Sequence, residues 1–148
     1  MLVVAAASTA CRSSVYTVTT TRTLDPAIRV TMSAPDSIGR QDTAIFAFRF
    51  ENRSARPIGV SLYAREEWSV DPIIYRENGS VLWERAVSKM TIMSGATAFV
   101  LSRGSNRVIS MKWVPADAPA GRYSVVGRVV GIDGSFIWTG PRVGMTIR

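Results

Sequence analysis

The chain has 148 residues, 47% of them hydrophobic and 20% charged, with 18 Lys+Arg against 11 Asp+Glu and a formal charge of +7. That is the balance of one globular domain, not of a disordered tail. Histidine is absent and Cys11 is the sole cysteine. Ser-His, Cys-His and His-metal chemistry, an intrachain disulfide and a Cys-based zinc site are therefore all excluded. No run reaches the roughly 18 to 20 apolar residues that span a bilayer.

Met1 to Ala10 (MLVVAAASTA) is small and apolar, and Cys11 follows directly. This resembles the end of a bacterial lipoprotein signal, although Ser8 stands where such signals usually carry Leu and no basic region precedes the run. The resemblance implies Cys11 as a lipidation site, membrane anchoring through it, and a cell-envelope or secreted protein. The alternative is a cytoplasmic chain with an incidental thiol. Arg12 to Thr23 (RSSVYTVTTTRT) is rich in Ser and Thr and lacks apolar periodicity, which fits a polar tether. Residues 1–23 thus separate from a single domain at 24–148.

From Leu24 onward the hydrophobic period is two, not 3.6. Ile28, Val30 and Met32 alternate with Arg29, Thr31 and Ser33. Phe46, Phe48 and Phe50 alternate with Ala47, Arg49 and Glu51, and Ile58, Val60 and Leu62 follow the same rule. Each run reads as a strand with one buried face. Asn52 to Pro57 (NRSARP) supplies the turn between the last two. Ile73-Ile74-Tyr75, then Asn78-Gly79, then Val81-Leu82-Trp83 predicts a hairpin closed by a two-residue type I′ turn. Further strands are expected at Ala98 to Leu101, Val108 to Trp113, Arg122 to Val130, Phe136 to Trp138 and Val143 to Ile147. No stretch of twelve residues has helical periodicity. Many short strands with regular turn signals predict an all-β, Ig-like antiparallel β-sandwich of seven to nine strands, here without a disulfide. Trp68, Trp83, Trp113, Trp138 and the three phenylalanines are assigned to its core.

The positive charge is almost all arginine, 16 Arg against Lys89 and Lys112, and it is spread along the chain. No Lys/Arg cluster of five or more occurs, so a solvated surface is expected and a nucleic-acid partner is not. Glu66, Glu67, Asp71, Glu77 and Glu84 form one acidic stretch with Arg76 and Arg85 among them. The expected arrangement there is a cross-strand surface charge pair, not two catalytic carboxylates facing across a cleft. No P-loop, dinucleotide-binding or Gly-x-Ser-x-Gly motif is present. Neither an enzyme nor a cofactor is expected.

Two stretches resemble a known family. Val70 to Met90 (VDPIIYRENGSVLWERAVSKM) is similar to the central hairpin of the BsuPI-type intracellular proteinase inhibitors, through Asp71, Ile73, Ile74, Tyr75, Asn78-Gly79, Leu82, Trp83 and Lys89-Met90. Ala118 to Gly127 (APAGRYSVVG) is similar to the family's closing Pro-x-Gly-x-Tyr-x-Val-x-Gly strand. The likeness covers about Ile28 to Val130. Arg85 and Thr91 stand where the family has aromatic residues.

The resemblance implies an Ig-like sandwich that binds protein and inhibits a serine proteinase. Such an inhibitor places a stiff segment in the substrate cleft and needs no catalytic group. The segment from Ser88 to Ser94 is the candidate, with Lys89, Met90, Thr91, Ile92 and Met93 as contact residues: a basic side chain beside flexible apolar ones that suit subsites. The competing expectation is that Met90 and Ile92 cover the open end of the core. The competing function is an envelope adhesion or assembly module that inhibits nothing.

Overall fold

Period-two alternation organises the described residues, 24–85 and 96–148 of a computed structural model, into ten strands. In chain order these are β1 (Ile28–Ser33), β2 (Ser37–Ile38), β3 (Ala44–Asn52), β4 (Ile58–Leu62), β5 (Val70–Arg76), β6 (Val81–Trp83), β7 (Thr97–Leu101), β8 (Asn106–Trp113), β9 (Gly121–Val130) and β10 (Phe136–Ile147). A single 3-10 turn, Glu66–Trp68, interrupts them. One sheet has the order β1-β3-β8, a second β2-β10-β9-β5-β6, and a two-stranded sheet pairs β4 with β7. All pairings are antiparallel except the short parallel one between β2 and the end of β10.

The expected antiparallel sandwich is therefore present. It carries one strand more than the seven to nine read from the pattern. The two-residue β2 is too short to leave a periodic signal. The two short C-terminal strands expected at 136–138 and 143–147 are one strand, β10, with pairing irregularities between Phe136 and Trp138 and between Thr139 and Arg142. The irregular stretch contains Gly140 and Pro141, which broke the sequence signal without ending the strand.

The core follows the alternation. Phe46, Phe48 and Phe50 on β3 are completely buried, while their neighbours Ile45 and Arg49 face out. Val125 and Val129 on β9 and Ile74 on β5 meet them from the five-stranded sheet. Phe48 packs edge-on against Trp138 of β10, with ring centroids 6.2 Å apart, and Phe50 does the same with Phe99 of β7 at 5.9 Å. The tryptophans are a correction to the expected core. Trp83, Trp113 and Trp138 are half-buried at its margin, and Trp68 lies outside it under an arginine. Tryptophan, the largest side chain, is seldom buried to completion.

Turn chemistry holds the ends. Gly79 N–H donates to the Arg76 carbonyl at 2.9 Å and Arg76 N–H to the Ser80 carbonyl at 2.8 Å. Glu77 and Asn78 are thus the centre of the turn, and Gly79 follows it at φ +82°. The hairpin has a three-residue loop with a left-handed glycine after the turn, not the expected two-residue type I′ form. Asn78 Oδ1 accepts from both the Ser80 N–H and hydroxyl, which favours the longer loop.

Asn52 closes the opposite end of the sandwich. Its Nδ2 donates to the Arg56 and Leu101 carbonyls, both at 2.8 Å, and its Oδ1 accepts from Ser54. The Pro-x-Gly-x-Tyr element has a similar reason. Tyr123 OH reaches back to the Pro119 carbonyl at 2.7 Å and pins the entry into β9, the tyrosine-corner arrangement of Ig-like sandwiches.

Two substitutions test this frame. A Cβ on Gly127 of β9 would lie 2.6 Å from Met32 Sδ and 2.8 Å from Phe48 Cε1. Gly127→Ala is therefore expected to overpack the sheet interface and cost about 1–3 kcal/mol. Tyr123→Phe removes the hydrogen bond to the exposed Pro119, for a loss of about 1 kcal/mol. Urea denaturation midpoints measure both.

Candidate functional site

The acidic stretch folds differently from its expectation. Asp71 is completely buried within the five-stranded sheet and not at its surface. Its register partner is Arg128 of β9, on the other side of β5, and the two side chains form an ion pair. The Arg128 side chain is only 16% exposed. Glu84, just beyond β6, reaches the same guanidinium at 3.5 Å. Asp71 and Glu84 thus share one arginine that lies 57 residues from Asp71 in the chain. Local pairing rules had no means of selecting it.

Neighbouring groups complete the cluster. The Arg128 guanidinium stacks on the Phe136 ring, 4.3 Å from its centroid. Arg85 lies 4.4 Å over the Trp68 ring and donates to the Glu67 carbonyl. The Arg85 backbone N–H also lies against the Asp71 carboxylate and favours its charged form. The loop carrying Glu66, Glu67 and Trp68 is wound around the buried Ser69, whose hydroxyl accepts from Ala64 N–H at 3.0 Å and faces the Ala64 and Arg65 carbonyls. Arg107 of β8 joins this loop through Glu66 and stacks on Phe99 at 4.8 Å.

The electrostatics of the cluster are not those of a contented salt bridge. Burial pushes the Asp71 carboxyl above the ordinary carboxylate range, against the opposing pull of Arg128. Burial likewise lowers Arg85, against the charges of Asp71 and Glu67. Asp71 Oδ1 and Arg128 Nε make no hydrogen bond among the described residues. Desolvation outweighs the attraction of the pair, as is common for buried ions. Chemically the arrangement fastens chain segments together. A fully buried Asp71 has no surface to offer a substrate, and no group of three or more metal-ligating side chains gathers among the described residues.

The contact residues expected from sequence, Lys89, Met90, Thr91, Ile92 and Met93, lie outside the described residues, as does the lipidation candidate Cys11. What the structure describes is the ground from which the first group departs. Glu84 and Arg85, the last described residues before it, belong to the Asp71–Arg128 cluster. Sequence reasoning noticed every acidic member of that cluster but missed Arg128, which stands in an apolar strand and looked solvent-facing.

The fold and this cluster define the class: an Ig-like antiparallel β-sandwich with one buried charge cluster at the exit of its central hairpin. No family model and no curated protein sequence matches the chain. Some solved structures are similar in part, with TM-scores below 0.5. An alkylpurine DNA glycosylase AlkC of Pseudomonas fluorescens is similar over 82% of this chain and 30% of its own, at 16% identity and a TM-score of 0.45. A β-glucosidase of Listeria innocua is similar over 81% of this chain and 16% of its own, at 7% identity and 0.47. The CARDB domain of a Pyrococcus furiosus protein is similar over 88% of this chain and 97% of that domain, at 13% identity and 0.40. The chain thus spans less than a third of either enzyme.

Breaking the pair from one side leaves a buried, uncompensated charge. Asp71→Ala is expected to destabilise the fold by about 3–5 kcal/mol, read from denaturant unfolding. The pH dependence has a definite sign. Because the folded-state Asp71 carboxyl is raised above the ordinary value of 3.8, the folded state holds its proton more tightly than the unfolded state does. Its contribution to stability is fully present below that value and is lost as pH rises through the raised one. The unaltered chain therefore gains stability relative to Asp71→Asn as the pH of a denaturant series falls from neutrality toward about 4.

Proposed function

We propose that this chain is a non-enzymatic protein-binding module that acts as a serine proteinase inhibitor, occluding the proteinase cleft with the segment between β6 and β7. The observation that carries the reading is the anchoring of that segment's start. β6 is the last strand of the five-stranded sheet, and β7 belongs to the two-stranded one. The connection therefore passes between sheets, and its first residues, Glu84 and Arg85, are fastened by charge and by stacking on Trp68. A contact segment leaving a rigid base loses less entropy on binding than a free one. The residues on it, Lys89 to Met93, combine a cation with flexible apolar side chains. The likeness of Val70–Met90 and Ala118–Gly127 to the BsuPI-type inhibitors supports the same reading. Lipidation at Cys11 and an envelope location belong to this proposal.

An adhesion or assembly module would recruit a partner strand at a sheet edge. The long outer edge of β10 carries Pro141 and two pairing irregularities, devices that oppose strand addition. That observation speaks against strand addition at β10, while β1, β8 and β6 are the other edges of the two larger sheets.

The test is inhibition of a subtilisin-like and a trypsin-like serine proteinase by the purified chain, with its own cleavage followed in the same mixtures. Saturable inhibition by an uncleaved chain is expected, weakened roughly tenfold or more by Met90→Asp, which is at least about 1.4 kcal/mol. No inhibition at micromolar concentrations by an intact chain overturns the proposal.

A further inference from the structure

Asp71 and Arg128 occupy facing positions near the start of β5 and the end of β9, where the next outward-facing pair toward the hairpin is Ile73 opposite Val126. An apolar pair would have served the sheet there as well, because buried ion pairs seldom outdo hydrophobic residues of similar volume. Two atoms of the pair lack hydrogen bonds among the described residues, so the site is not optimised for stability. What the charges do that apolar side chains could not is hold a third segment. Arg128 takes Glu84 as well as Asp71, and the Asp71 carboxylate faces the Arg85 backbone N–H. Phe136 from β10 flanks the Arg128 guanidinium, and the Glu67 carbonyl and the Trp68 ring hold the Arg85 side chain.

We propose that Asp71 and Arg128 are positioning residues that clamp the chain where it leaves β6, so that Glu84 and Arg85 are held by a buried ion pair and not by strand pairing. The ladder between β5 and β6 ends at Ile74 and Trp83, which leaves Glu84 and Arg85 without ladder support. The inference rests on the inhibitor reading for its biological meaning, but not for its physical test.

The experiment compares the full chain with the double variant Asp71→Leu/Arg128→Met, which removes both charges and puts apolar side chains in their place. Amide hydrogen exchange is read by mass spectrometry, and inhibition of the same proteinase panel is measured on the same samples. The expected result is a cooperative fold with core amides of β3 and β9 protected as before, exchange at Glu84 and Arg85 at least tenfold faster, and inhibition weakened tenfold or more. Unchanged exchange at Glu84 and Arg85 in the folded double variant overturns the clamp, as does a uniform rise across all strands, which would mark a merely structural pair. Should the double variant not fold, Glu84→Gln, at a partly exposed side chain, is expected to raise exchange at Arg85 without altering β3. No change there overturns the clamp too. If the unaltered chain inhibits nothing, the functional reading fails, and the exchange data still decide the clamp.

Discussion

The contact between Phe48 and Gly127 sets the distance between the two main sheets. A phenyl ring from β3 can lie against the backbone of β9 only because residue 127 has no side chain. The same ring meets the edge of Trp138 on β10, so one residue of the first sheet touches two strands of the second. Sheet separation fixes which other side chains fit between. Val125 and Val129 flank Gly127 on the facing strand and are completely buried, as are Phe46 and Phe50 beside Phe48. Interiors packed at crystal-like density transmit such a constraint over several residues. Trp83, Trp113 and Trp138 pack at the margins of this core.

Polar groups inside this apolar frame fall into two kinds. Asn52 and Ser69 are almost or completely buried and hydrogen-bonded to backbone that would otherwise be orphaned. They close loops: Ser69 does so within a few residues, and Asn52 both locally and across to Leu101 of β7, 49 residues away. Asp71 and Arg128 are of the other kind. Their attraction is offset by desolvation, and neither is fully satisfied. They connect elements far apart in the chain: β5, β9, the start of β10 and the exit of β6. The first kind closes loops of the sandwich, and the second gathers distant segments at one point.

The legibility of the chain followed the range of the interactions concerned. The alternation in β1, β3, β4 and β8 was readable because a strand's period depends on one sheet face and nothing else. The position of the Asn78-Gly79 hairpin was readable for the same reason. Its turn type was not, because Ser80, one residue beyond the motif, competes for the Asn78 side chain. β5 was read only from Ile73 to Tyr75, yet it begins at Val70 and includes Asp71 and Pro72. Both are accommodated because β6 has no partner for β5 at that level and Arg128 meets Asp71 from β9. The acidic cluster was noticed as composition, but its arginine was not.

Taken alone, the sequence determined the fold class, the face of each long strand that turns inward, and the absence of histidine, disulfide and zinc chemistry. These are consequences of residue identity and of period, which act over a few neighbours. Only the tertiary structure decided that Asp71 is buried, that Arg128 is its partner, and that Glu84 and Arg85 are fastened to the same point. The reason is physical. Burial depends on what lies across the sheet, and the pairing of β5 with β9 joins residues 57 positions apart that no local pattern connects.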